Sequence, residues 1–164
     1  MTRAGQSALA TRGLARVAML LGALSGPPAL ALDLHALSAF VTPAYTAMNY
    51  TVVCVQEDRG FLSHTSGPRG SGIHYAEHVK NEAIASLSHE DSVRVLQAAA
   101  DEARASTLRT LRELTASTAE SDAKARVRAW CESEARRFVR GFIDRHEDDH
   151  GAIEDWLRRA KEGA

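Results

Sequence analysis

Apolar residues recur at three- and four-residue spacing along most of the chain, the period of a helix with one buried face. Ala76, Val79, Ala83 and Leu87 form one stripe, with Ile73 and Ile84 beside it, and predict a helix over about 73–87. Val93, Leu96, Ala100, Ala103, Leu111 and Leu114 mark a longer one over 89–115, with Glu90 and Arg94 spaced to pair on its outer side. Val127, Cys131, Ala135, Phe138 and Phe142 point inward from a helix over 120–145, and Ile153, Trp156 and Leu157 define a short last helix after Gly151. Upstream, Pro43 suits a first helical turn and predicts a helix over 43–58. Its segment Tyr50–Val55 is strand-like on propensity, but a lone strand has no partner, so helix is favoured.

The breaks between these runs carry start signals. Ser88 with Asp91, and Ser117 with Glu120, have the spacing of capping boxes. Residues 59–72 hold Gly60, Gly67, Gly70 and Gly72 and read as the one long loop. Long helices joined by short connections predict an all-α protein, an antiparallel helical bundle of about four main helices plus a short C-terminal helix.

Charge and composition change the picture at the N-terminus. Arg3, Arg12 and Arg16 precede an apolar run from Val17 to Leu24, then Ser25, Gly26, Pro27 and Pro28, then Ala29-Leu30-Ala31, with no acid before Asp33. This is the order of a secretory signal peptide over residues 1–31, with 32–164 as a single mature helical domain. The apolar run is too short for a permanent anchor, which needs roughly 20 residues. Cleavage removes three arginines, so a formal charge of −1 becomes more negative, which gives no reason to expect nucleic acid. Export in turn gives meaning to the two cysteines. In an oxidising compartment Cys54 and Cys131 are expected to join, closing a loop of about 77 residues worth roughly 4 kcal/mol. The bond would tie the first long helix to the fourth.

Candidate chemistry is confined to histidines and acids. His74, Glu77 and His78 set out H-x-x-E-H, which resembles the zinc signature of the inverzincin peptidases. The resemblance implies that His74 and His78 hold the metal, that Glu77 handles the proton of a bound water, and that a downstream glutamate, here Glu154, completes the site. It covers five residues, the family has a helix-and-sheet fold, and the predicted helix turns both histidines away from its apolar stripe. A milder reading is a surface site for Zn²⁺, Cu²⁺ or Ni²⁺ at His74 and His78, or in the polar segment from Asp144 to His150, which holds His146 and His150. That segment does not fit an EF-hand, since Leu157 stands where the bidentate glutamate belongs. In the loop, Phe61, His64 and Arg69 are candidates for a binding surface. No nucleophile elbow or phosphate-binding glycine pattern accompanies them.

These observations predict a small exported protein of the periplasm: a single-disulfide helical module acting by binding and not by catalysis. In architecture alone it resembles the small helical stress proteins of the bacterial periplasm. A protein partner or a second copy is the expected binding partner, with no cofactor. The alternatives are a transition-metal-binding protein and a zinc hydrolase.

Overall fold

The computed structural model describes residues 33–116 and 119–147. The predicted signal segment, the helix after Gly151, Ser117, His150 and Glu154 lie outside these residues. The first element, α1, spans Leu34–Glu57. It starts well before Pro43 because Asp33 caps it: Oδ1 accepts the N–H groups of His35 and Ala36, each at 3.0 Å. Pro43 therefore lies inside the helix and not in its first turn, removing one ladder bond to the Ala39 carbonyl. Burial of Leu37 and Val41 on its N-terminal side and of Ala44 and Ala47 beyond it holds the helix through that defect. Tyr50–Val55 is helical, as tertiary packing overrides the local strand propensity.

The stretch read as one loop is more ordered than expected. A four-residue helix, α2 (Phe61–His64), is followed by two-residue strands β1 (Ser66–Gly67) and β2 (Gly70–Ser71), which pair antiparallel, Ser66 with Ser71 and Gly67 with Gly70. Gly70 has φ +122°, a conformation open to glycine. Phe61 and Thr65, both fully buried, pin the segment to the core.

Helix α3 spans Gly72–Ile84 and buries Tyr75, Ala76, Val79 and Ala83. Helix α4 spans His89–Thr115 with the predicted bounds, and Ser88 Oγ accepts the Asp91 N–H at 3.1 Å. Its face is rotated from the expected one. Val95, Ala99, Ala103 and Thr107 are buried, whereas Val93 is 53% exposed and Leu96, Ala100, Leu111 and Leu114 are only partly covered. The cause is the partner: α4 packs chiefly on α1. There small side chains meet small side chains. Hydroxyls of Thr42, Thr46, Thr51 and Thr107 donate to carbonyls four residues back in their own helices, which leaves their methyl groups for packing.

The fourth main helix is interrupted without breaking. Helix α5 (Glu120–Trp130) runs into a π turn, Cys131–Ala135, and on into α6 (Arg136–Glu147). Ala119 takes the cap position of α5 without a side-chain bond, so the predicted Ser117 box does not set this start. Cys131 and Ala135, at the two ends of the π turn, are fully buried.

Successive main helices alternate in direction. Gly72 at the start of α3 lies beside Thr51, while Ala83 near its end joins Leu37, Val41, Val95 and Ala99 in one cluster. Helix α4 returns alongside α1, with Val95 and Ala99 beside Leu37 and Val41 and with Thr110 close to Tyr50. The larger core gathers Phe61, Tyr75, Val79, Trp130, Val139, Phe142 and Ile143 around the cysteines. Cys54 and Cys131 form the disulfide, with Cα atoms 5.4 Å apart and both residues fully buried. Arginines of the fourth helix fasten the end of α1 and the hairpin. Arg136 Nε donates to buried Asp58 Oδ2 at 2.7 Å, Arg128 Nε to the Glu57 carbonyl at 3.2 Å, and Arg140 Nη1 to the Ser66 carbonyl at 2.9 Å. Among the described residues, no helix is long and apolar enough to cross a membrane.

Candidate functional site

The hairpin and the first two turns of α3 enclose an open depression of about 500 Å³, lined by Arg69, His74, Tyr75 and His78. Each side chain is held by its local element. The β1–β2 turn presents Arg69, whose backbone N–H donates to Tyr75 Oη at 3.3 Å. Tyr75 is buried, and a Cβ placed on Gly67 would lie 2.5 Å from its Oη, so only glycine lets the turn approach the ring this closely.

His74 has a second role, as the N3 residue of α3. The Ser71 N–H donates to its Nδ1 at 3.2 Å, and Ser71 Oγ lies 3.1 Å from the same nitrogen. The Ser71 side chain in turn accepts the His74 backbone N–H, which completes a capping box with histidine where glutamate or glutamine normally stands. A backbone N–H can only donate. Nδ1 is therefore the acceptor, and the neutral ring carries its proton on Nε2.

The predicted trio divides. His74 and His78 both line the depression, but Glu77 is engaged by Lys80 on its own helix, Oε1 to Nζ at 2.8 Å. Lys80 also lies 4.9 Å from the centre of the Tyr45 ring on α1. His146 is remote in role: half-buried near the end of α6, it packs on Phe142 and Phe40 at ring-centre distances of 4.7 and 6.4 Å. Asp144 pairs with Arg140 at 2.8 Å. Among the described residues, no three of His, Cys, Asp and Glu gather as a metal-holding group. Of the loop candidates, Arg69 alone lines the depression. Phe61 belongs to the core, and His64 Nδ1 bonds the Gly60 carbonyl at 2.7 Å.

The described residues also form other concavities. One, of about 640 Å³, lies on the outer side of α4 around Val93, Gln97 and Ala98. Another, about 370 Å³, lies between the ends of α4 and α5 and the π turn, bordered by Thr110, Arg126, Trp130 and Glu134. Beside it Tyr50 stacks edge-on against Trp130 and Phe138, at 4.8 and 5.2 Å. Burial pushes the Tyr50 phenol above its ordinary pKa, with the Glu134 charge acting in the same direction and the Thr110 hydrogen bond opposing.

Sequence reasoning missed Tyr75 and the joining of Arg69 to the histidines. The available signal was Ser71 three residues before His74, the spacing of a capping box with an unusual partner. Comparison with known protein families, curated proteins and solved structures finds no match. The functional reading therefore rests on the residues themselves.

Proposed function

We propose that the chain is an exported helical binding module, not a catalyst, and that its working surface is the depression formed by Arg69, His74, Tyr75 and His78. The observation that carries this reading is convergence. A hairpin and a helix start, each tied to the core, bring four side chains of three chemical kinds, a guanidinium, a phenol and two imidazoles, to one concavity of about 500 Å³, within the range of small-ligand sites. Export is supported by the signal-like order of residues 1–31 and by the Cys54–Cys131 bond, which suits an oxidising compartment such as the periplasm. A ligand screen read by amide NMR on the oxidised chain tests the proposal. Perturbations centred on Arg69, Ser71, His74, Tyr75 and His78 are expected. If every bound ligand instead maps to α4 or the π turn, or none binds, the reading fails.

One observation favours a second reading, transition-metal binding: His74 and His78 stand one helical turn apart in the same depression. Ligation through His74 Nε2 would move its ring proton to Nδ1 and break the Ser71 N–H bond, so this reading ranks below the first. Zinc titration of the wild type against His74→Ala plus His78→Ala decides it, since equal heats would exclude the pair. The hydrolase reading gains no support from Glu77, whose carboxylate is held by Lys80.

A further inference from the structure

We infer that the ligand of the depression is an oxyanion, the carboxylate or phosphate group of a small molecule. The inference rests on the binding reading above and gives it a chemical class. The side chains facing the concavity offer donors. Arg69 brings a guanidinium, with its planar fork of N–H groups, and has no ion pair among the described residues. His74 brings Nε2–H, because the Ser71 N–H occupies Nδ1. Tyr75 Oη accepts from the Arg69 N–H, which leaves its own proton to donate.

The nearby charges are arranged to match. Glu77, the acid on the same turns of α3, is neutralised by Lys80, and Asp144 on α6 by Arg140. Among the described residues the positive charge of Arg69 has no carboxylate partner, and a carboxylate or phosphate is the group that a guanidinium binds through two parallel hydrogen bonds. N–H groups at the start of α3 are already engaged. The Gly72 N–H already donates to the Thr65 carbonyl at 3.1 Å, and the His74 N–H to Ser71 Oγ. The donors on offer are side chains.

His74→Glu provides a sharp variant. It installs the standard capping-box residue at N3, so α3 should keep its start, but it replaces a donor by a negative charge. The experiment titrates the full oxidised chain with inorganic phosphate and, separately, with succinate at constant ionic strength, followed by amide and imidazole NMR. A zinc chloride titration forms a third arm. Saturable shifts at Arg69, Ser71 and His74 are expected with at least one anion, and the probe that saturates at the lower concentration identifies phosphate or carboxylate as the preferred group. Arg69→Ala should weaken that binding about tenfold, the loss of a charge-assisted hydrogen bond. His74→Glu should abolish it while the spectrum stays folded. Anion shifts that do not saturate, or that persist unchanged in Arg69→Ala or in a folded His74→Glu protein, overturn the inference. Saturation by zinc at His74 and His78 with no response to either anion also overturns it, yet leaves a binding function for the depression intact. No saturable response to any of the three removes the oxyanion, and failure of the wider ligand screen removes the binding reading with it.

Discussion

Asp58 shows how much one side chain holds together. Its side chain is 6% exposed and bonds Arg136 through Oδ2, while Oδ1 accepts the Gly60 N–H at 2.9 Å. The residue thus closes α1, starts the hairpin segment and docks α6. Asp58→Ala leaves a partly buried guanidinium and a turn N–H without their acceptor, and should lower stability by about 3 kcal/mol in urea unfolding. A loss below about 1 kcal/mol would show that water replaces the carboxylate. Tyr50 makes a pH prediction of definite sign. Its folded pKa is raised, so the unfolded chain ionises first as pH passes about 10. The protonated phenol's contribution is complete below that value and is lost as pH climbs through the folded value. Tyr50→Phe should therefore flatten the fall in Tm above about pH 10 relative to wild type. Parallel curves would contradict the assignment.

At the scale of elements, close approach decides what side-chain size alone does not. A Cβ on Gly72 would lie 2.5 Å from Val139 Cγ1, so α3 begins in direct contact with α6. Gly72→Ala should cost about 1–3 kcal/mol through overpacking. Adding Val139→Ala should recover part of the loss, and strict additivity of the two losses would contradict the contact. The same principle explains how legible the elements were. Bounds of α4 followed directly from Ser88 and from the helical period, but its buried face did not. Weighting Val93 by hydrophobicity placed it inside, whereas α1 accepts the Ala99–Ala103–Thr107 ridge because small residues allow the axes to approach. A serine at position 93 should accordingly change stability by less than about 0.5 kcal/mol, measured by urea titration of Val93→Ser. The start of α1 was misplaced because Pro43 is a conspicuous signal and Asp33 an ordinary one. The π turn left no trace in the periodicity, since Cys131, Ala135, Phe138 and Phe142 suit a regular helix as well as an interrupted one.

For the whole molecule, the disulfide joins the two segments that the core already brings together, across a sequence separation of 77. Its reduction should cost about 4 kcal/mol on chain-entropy grounds, with helical content retained where the reduced chain stays folded. The pairing and the all-α class were legible from two cysteines, an export-like N-terminus and the helical period. The site was only half legible: His74 and His78 were visible as a motif, but their neighbours were not. Arg69 reaches them through a two-residue ladder too short to register in the sequence, and Glu77 leaves them for Lys80, a pairing at i,i+3 that competes with any motif reading. The depression thus belongs to the hairpin as much as to the helix, and its chemistry follows from which nitrogen of His74 is occupied. That point is open to direct observation. A long-range proton–nitrogen NMR spectrum of the histidine rings at about pH 8, where unperturbed imidazoles are neutral, reports each tautomer. The account predicts His74 with its proton on Nε2, and a saturable shift of that resonance when phosphate or succinate is added. A proton on Nδ1, or a resonance that neither anion moves, would contradict it.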